Sequence, residues 1–356
     1  MSLAFADPVF TALFDDGGVG ALWEAPAQIE CWRRFEAAYS RALAASGLAE
    51  PAVAERAARA IEAARIAPSD LAKGTARDGL PIPAFVRLLK GEAGDDAEAV
   101  HRGATSQDVM DTALALTAQA TNEVLDERIE TVREALVRLD GRFGGVPFMA
   151  RTRMQAALPV TVSRRIAIWS QGLDGAAARL AAAQPGIERL QLGGPVGDRR
   201  EFGEDPQAFA DGLADRLGLT AGTAWHTDRS GVAEYAGALS FLTGALGKIG
   251  QDVALMAHEG EIALAGAGGS SAMPHKQNPV RAELLVTLAR YNAAQLGGLH
   301  QALVHEQERS GAAWTLEWLI LPGMARATAC AFGLASDLLA AVTRVGVEGD
   351  ADFRGN

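Results

Sequence analysis

Cysteine is nearly absent from this chain, which has only Cys31 and Cys330 among its 356 residues. The two stand far apart, and neither belongs to a CxxC pair or a cysteine and histidine cluster. The sequence therefore predicts neither a disulfide framework nor a zinc site, and two ordinary thiols in a reducing compartment are expected.

Basic residues are also in short supply. The chain carries 33 Lys and Arg against 44 Asp and Glu, a formal net charge of −11 at pH 7, and no run of basic residues occurs. This balance argues against nucleic acid and anionic membrane surfaces as partners. An acidic protein that binds an anion must gather cations locally, so each Arg or Lys beside a motif is of interest.

Long apolar runs are missing as well. The N-terminal stretch MSLAFADPVF lacks a basic segment followed by a long apolar one, and we expect no window to reach the ~20 apolar residues that span a bilayer. We therefore expect a soluble, cytoplasmic protein.

What the sequence does have is helical periodicity. Apolar residues recur at steps of three and four over 107–140 and, without a break, over 232–263, and no alternating Val/Ile/Thr-rich run suggests a sheet. Further long helical patterns cover 160–183, 280–304 and 315–342, and shorter ones cover 26–47 and 51–65. We predict an all-α fold with a central bundle of about five long helices.

These patterns divide the chain into an N-terminal helical domain (1–100), a long-helix bundle (101–345) and a tail (346–356). Long apolar seams of this kind are commonly buried against other subunits, so we expect a homo-oligomer.

The stretch Gly266 to Pro279, GAGGSSAMPHKQNP, combines several chemical functions in fourteen residues. Its glycines allow a loop that can move. Ser270 and Ser271 offer hydroxyls, Lys276 a positive charge for a carboxylate, and Asn278 an amide that both donates and accepts. Pro279 stands where a following helix could begin.

The string GSSAMPHKQNP resembles the signature loop of the fumarase/aspartase superfamily. The resemblance implies that Ser270 removes a proton α to a carboxylate and that Lys276 and Asn278 bind substrate carboxylate. Ser271 and Met273, in the same loop, are counted with the substrate-binding residues.

A second motif, HRGATSQDVMDT, spans His101 to Thr112 just before the first long helix. Thr105 and Asp108 are spaced as in a capping box, so an ordinary helix start is one interpretation. Exposed backbone N–H groups and the hydroxyls of Thr105 and Ser106 also suit a carboxylate. The motif is similar to the first signature region of the superfamily, which implies that these two hydroxyls hold substrate and that His101 assists proton transfer.

A third motif, ARTRMQAALPVT, spans 150–161 and is expected to enter a helix near Pro159. Superfamily lyases that expel amines often read RTHxQ here, with the histidine as general acid. This chain has Arg153 at the position of the histidine and Gln155 at the position of the glutamine. An arginine cannot donate a proton at neutral pH, because its pKa exceeds ~12. A carboxylate, whose conjugate acid has a pKa of about 4, can leave unprotonated.

One branch of the superfamily, the 3-carboxy-cis,cis-muconate cycloisomerases, uses a carboxylate that needs no proton donor, and this sequence resembles that branch. The branch implies that Arg153 clamps an additional substrate carboxylate and that Gln155 also binds substrate. A salt bridge on the surface or between helices is the alternative for Arg153.

Two later motifs are less specific. AWHTDRSGVAEY, 224–235, resembles the WHTxRD pattern with Ser230 in place of Asp, so His226 and Arg229 could line the site; a packing role for His226 is equally open. HEQERSGAAWTLEW, 305–318, also resembles the cycloisomerase branch, but we favour a solvated helix face for Glu306, Glu308 and Arg309.

The resemblance extends over nearly the whole chain and implies that the small C-terminal domain of the family is absent. It further implies a cofactor-independent intramolecular lyase that converts 3-carboxy-cis,cis-muconate to 4-carboxymuconolactone in protocatechuate degradation, through an enediolate-like carbanion. No metal or organic cofactor is implied, and a homotetramer with shared sites is expected. Three alternatives stay open: an adenylosuccinate-lyase-like enzyme, an aspartate- or fumarate-type lyase, and a structural protein without activity.

Overall fold

Eleven α-helices make up most of the computed structural model, which describes residues 5, 7–266, 268–269 and 277–346. The helices are α1 (Val19–Leu22), α2 (Ala25–Ala45), α3 (Pro51–Ala63), α4 (Pro68–Asp78), α5 (Ile82–Ala93), α6 (Ser106–Phe143), α7 (Val162–Ile187), α8 (Pro206–Leu217), α9 (Ser230–His258), α10 (Val280–Gln301) and α11 (Ala312–Ala340). A short 3₁₀ helix, Gly94–Ala99, follows α5.

Five of these helices, α6, α7, α9, α10 and α11, are 22 to 38 residues long and pack side by side around one core. Helix α9 lies at the centre and contacts α7, α10 and α11. Glycine brings α9 and α10 close together: a Cβ at Gly250 would lie 2.5 Å from the carbonyl oxygen of Ala282. The predicted all-α bundle of about five long helices is confirmed.

A second core joins α2 to α5 with the first turns of α6 and with the segment 190–219 that contains α8. Tyr39, Phe202 and Phe209 form its aromatic centre, with ring centroids 5.1 to 6.2 Å apart. The first residues of α6 belong to this core, so the bundle and the N-terminal helices meet where the His101 motif lies. The domain boundary at residue 100 stays a prediction.

The expectation of no sheet was wrong in detail, because the described residues include two small antiparallel sheets of two strands each. Strand β1 (Pro147–Thr152) pairs with β2 (Gln155–Thr161), and β3 (Ile262–Leu264) pairs with β4 (Val342–Val345). The turn between β1 and β2 has positive φ at Arg153 and Met154, 46° and 66°. Tight hairpin turns with positive φ usually have asparagine and glycine at these two positions. The signal for a hairpin was therefore missing from the sequence.

The same strands correct two predicted helix boundaries. The segment near Pro159 is strand, and α7 starts only at Val162. Helix α9 ends at His258, although its apolar pattern continues to Ala263, because Gly260 has φ 71° and the chain turns into β3.

Helix α11 also corrects the expectation about apolar windows. It is long and apolar enough to cross a membrane by composition, with a mean hydropathy of 1.3 over its most apolar window, but 72% of that window is buried inside the fold. Burial of this extent is typical of a central bundle helix.

Candidate active site

Helix α6 begins at Ser106 with Thr105 as its N-cap, as the motif predicted. Asp108, in the first turn, is fully buried and accepts the Thr105 backbone N–H at 3.0 Å. Its carboxylate also accepts the N–H groups of Gly193 at 2.8 Å and Gly194 at 3.0 Å. Asp108 thus fixes the 193–194 loop against the helix start, a role beyond capping that sequence reasoning missed.

His101 lies just before this helix start in the left-handed backbone region, with φ 57°. Its Nδ1 is 2.5 Å from Oε1 of Glu36 on α2, and Glu36 is fully buried. Burial by itself lowers the pKa of His101, but the charge and hydrogen bond of Glu36 and the charge of Asp108 outweigh it and raise that pKa. A histidine in this setting favours its charged form.

His226 is held beneath the same helix start and is 4% exposed. Its Nε2 is 3.0 Å from Oδ1 of Asp108, and its backbone carbonyl accepts Nε2–H of Gln107 at 2.8 Å. Gly193 leaves the room for its ring, because a Cβ there would lie 2.6 Å from His226 Cε1. This geometry is that of a hydrogen-bonded packing residue, and a contact with substrate stays a prediction.

Arg229 is also buried, with a side chain 1% exposed, between Asp111 of α6 and Glu317 of α11. Its five N–H groups are all used, four on these two carboxylates at 2.6 to 3.1 Å and one on the Trp225 carbonyl at 3.4 Å. The predicted contact with substrate is corrected on this ground, since no donor remains for a ligand. Burial lowers the pKa of Arg229, but the two carboxylates outweigh it and raise that pKa.

The solvated helix face predicted for Glu306, Glu308 and Arg309 is wrong about the helix, because residues 302–311 form the connection between α10 and α11, although all three residues are exposed. Arg309 Nη1 donates to Thr105 Oγ1 at 2.8 Å and its Nη2 to the Pro195 carbonyl at 2.9 Å. The guanidinium is exposed, so it adds a positive charge directly beside the predicted carboxylate-binding hydroxyl. Only tertiary contact could reveal this, since 204 positions separate the two residues.

Arg153 occupies the exposed tip of the first hairpin and lines a cleft of about 760 Å³ between the hairpin, α7 and α9. The cleft also contains Arg151, Arg164, Arg165 and Lys248. Several of these are paired with acids, including Arg151 with Glu261 at 2.6 Å, while Arg153 and Arg164 form no ion pair with any residue that the structure describes. Gln155 is exposed at the start of β2.

The signature loop is closed at its base by an antiparallel bridge. Gly268 N–H donates to the Asn278 carbonyl at 3.0 Å, and Asn278 N–H donates back at 2.8 Å. Gly268 is required for this approach, because a Cβ would lie 2.7 Å from Val280 Cγ2. Pro279 is the N-cap of α10, as predicted. Ser270, Ser271, Met273 and Lys276 lie outside the described residues.

These residues occupy opposite ends of the bundle. His101, Thr105, Ser106, His226 and Arg229 cluster at the start of α6, whereas Arg153 and Gln155 follow its end. A helix of 38 residues spans about 57 Å at 1.5 Å per residue. Asn278 belongs to the second group, because α9 carries the chain away from Arg229 over 29 residues, or about 43 Å.

The family model for lyases matches residues 23–292, which include α2 to α9, the base of the loop and the first half of α10. The chain belongs to this lyase family. The family assignment agrees with the fumarase/aspartase resemblance that the signature loop carries.

Relatives and solved structures are similar over most of the chain. A "3-carboxy-cis,cis-muconate cycloisomerase" of Pseudomonas aeruginosa is 35% identical over 95% of this chain and 76% of the relative. A "Nitrosuccinate lyase" of Streptomyces davaonensis is 35% identical over 94% of this chain and 72% of its own length. The crystal structure of "3-carboxy-cis,cis-muconate lactonizing enzyme" from Pseudomonas putida superposes with a TM-score of 0.88 at 29% identity, over 95% of this chain and 77% of that one.

Proposed function

We propose that this protein is a 3-carboxy-cis,cis-muconate cycloisomerase that forms 4-carboxymuconolactone without a metal or organic cofactor. Four features support the proposal: the family membership, the relatives of that name, the intact signature residues Ser270, Lys276 and Asn278, and the arginine at position 153.

Arg153 is the observation on which the proposal depends most. It stands where amine-expelling lyases of the superfamily often carry a histidine, and it is exposed at a hairpin tip, in a cleft that Arg164 also lines. A guanidinium binds a carboxylate with charge-assisted hydrogen bonds but cannot donate its proton at neutral pH. Such a site suits a substrate with an additional carboxylate and a reaction that needs no acid at the leaving group.

In the cyclising direction, one substrate carboxylate oxygen forms a bond to the carbon at the far end of a conjugated double bond. The electron pair of that double bond moves to the α carbon and into the adjacent carboxylate, and the Ser270 hydroxyl protonates the α carbon. The acid forms of substrate and product are isomers; at neutral pH the tricarboxylate takes up one proton from solvent, which restores the Ser270 hydroxyl, and gives the dicarboxylate lactone. Cations on the clamped carboxylates stabilise the developing charge.

The site is proposed to form between subunits of a cytoplasmic homotetramer. Thr105 and Ser106 lie at the start of α6, and Arg153 follows its far end, a separation of about 57 Å along the helix, which no small tricarboxylate can bridge. Antiparallel packing of copies of the bundle would bring the Thr105 end of one chain to the Arg153 end of another. The Arg309 guanidinium on Thr105 would then face the same substrate.

The test is ultraviolet absorbance of the purified protein with 3-carboxy-cis,cis-muconate, without added metal, run in parallel with adenylosuccinate. Decay of the conjugated-diene signal with adenylosuccinate untouched is expected. A flat muconate trace beside cleavage of adenylosuccinate would replace the proposal with the adenylosuccinate-lyase alternative, and fumarate release from a smaller substrate would favour the simpler lyases. No turnover of any of these substrates would favour a protein without activity.

Arg153→His serves as the matched variant, because it restores the residue of amine-expelling lyases at the same hairpin tip. We expect it to raise KM for the muconate about tenfold, since an imidazole that is largely neutral replaces a permanent charge and one charge-assisted contact is lost.

A further inference from the structure

Glu36 is a fully buried carboxylate that the mechanism above does not use. It lies in the middle of α2, and its Oε1 contacts Nδ1 of His101 at 2.5 Å. Its Oε2 is buried without a hydrogen-bond partner among the described residues. A buried carboxylate with a single partner is unfavourable for folding, so the residue calls for a role other than stability.

Helix α2 holds the turn before α6 at three points. Ser40 Oγ donates to the Ala99 carbonyl at 2.8 Å, Tyr39 donates its hydroxyl to the Arg102 carbonyl at 2.5 Å, and Glu36 binds the His101 ring between them. His101 itself has φ 57°, a left-handed conformation that a non-glycine residue keeps only where its surroundings impose it. The direction of the His101 side chain is therefore fixed from α2.

The other ring nitrogen of His101 is left for a ligand. Nε2 forms no hydrogen bond with the described part of the chain, and it is not among the buried atoms without a partner. The charged groups that face the ring are Glu36 of α2, Asp108 of α6 and Lys90 of α5. Two negative charges and one positive charge favour the charged imidazolium form of the ring. His101 stands four positions before Thr105.

We propose that Glu36 is a positioning residue for substrate capture: it holds His101 as an imidazolium whose Nε2–H binds one substrate carboxylate at the start of α6. This inference rests on the proposed function and adds a group to it. It adds one cation to the carboxylate-binding site of this acidic chain. His101 then binds substrate through its positive charge, in addition to the role in proton transfer that the sequence implies.

The experiment compares wild type with Glu36→Gln, which keeps the shape and an acceptor for Nδ1–H but removes the charge. At pH 7.5 we expect KM for 3-carboxy-cis,cis-muconate to rise about tenfold, with kcat changed by less than about twofold, the loss of one charge-assisted contact. Because Glu36 raises the pKa of His101, the imidazolium form persists to higher pH in the wild type. Removal of Glu36 should therefore move the alkaline limb of kcat/KM to lower pH.

A second measurement does not depend on turnover. The ring signals of the six histidines are titrated by NMR, with His101→Asn used to assign His101. We expect the His101 midpoint to fall in Glu36→Gln. Glu36→Asp keeps the charge on a shorter side chain and should recover part of both the midpoint and KM. Ser40→Ala releases the same turn without a change of charge, so it should lower stability and leave the midpoint in place.

An unchanged His101 midpoint in Glu36→Gln, or an unchanged KM, would overturn the inference. If Glu36→Gln does not fold, Glu36→Asp decides: a lower midpoint with a severalfold higher KM supports the role, and wild-type values for both overturn it. Failure of the proposed function would instead appear as no muconate turnover by the wild type, and the NMR comparison would then decide the Glu36 and His101 pairing alone.

Discussion

Replacement of Arg229 by methionine tests the buried network beneath the site. Wild-type Arg229 is paired with Asp111 and Glu317, and all three side chains are at most 3% exposed. Methionine fills a similar volume but leaves two buried carboxylates without their main partner. Breaking a buried ion pair in this way costs about 3–5 kcal/mol.

The corresponding change in melting temperature follows from chain size. An unfolding entropy of roughly 2.1 cal/mol/K per residue gives about 0.75 kcal/mol/K for a chain of this length, so the expected loss is about 4–7 °C. The matched control is Arg138→Met, because the Arg138 and Glu134 side chains are 62% and 70% exposed. An exposed pair of this kind contributes only about 0.3–0.5 kcal/mol.

The pH dependence separates loss of the ion pair from loss of packing. Burial by itself raises the pKa of Glu317, but His305 and Arg229 outweigh it and lower that pKa. The stability contributed by Glu317 is therefore present above its unfolded pKa of about 4.3 and is lost as pH falls through the folded value. In Arg229→Met, burial of Glu317 is no longer opposed by the guanidinium, so the Glu317 carboxylate should protonate more readily and the deficit should shrink as pH falls from 7.5 to 5.

Thermal unfolding of wild type, Arg229→Met and Arg138→Met at both pH values is the assay, at one fixed protein concentration because the proposed oligomer would melt in a concentration-dependent way. A loss for Arg229→Met no larger than that of Arg138→Met, or an equal deficit at both pH values, would refute the reasoning.

Three further changes test other parts of the site. Ser270→Ala should lower kcat for the muconate by at least about a hundredfold with an unchanged circular-dichroism spectrum, since it removes the group proposed to transfer the proton; a near-normal rate would exclude Ser270 from the mechanism. Arg153→Ala should raise KM about tenfold through loss of a charge-assisted contact, measured by steady-state kinetics, with the exposed Arg138→Ala as control. Gly193→Ala should destabilise the protein by about 1–3 kcal/mol in urea, because the new Cβ would lie 2.6 Å from His226 Cε1 and 2.9 Å from Ala224 Cβ; wild-type stability would contradict a close packing of Gly193 against His226.

Periodicity was enough for the bundle because each long helix has an apolar stripe that shows directly in the spacing of its residues. The starts of α6 and α10 were also predictable, since Thr105 and Pro279 carry local signals for a helix start. The first hairpin was not, because its turn at Arg153 and Met154 lacks the residues that usually mark such a turn.

The sequence by itself determined the lyase family and the residue types of the site, because those are written in short strings such as GSSAMPHKQNP. Tertiary structure alone decided which residues remain available to a ligand. Arg229 is consumed by Asp111 and Glu317, Arg309 reaches Thr105 across 204 positions, and Glu36 finds His101 across 65. Hydrogen-bond and ion-pair partners are set by distance in the folded chain, which residue order along one dimension does not contain.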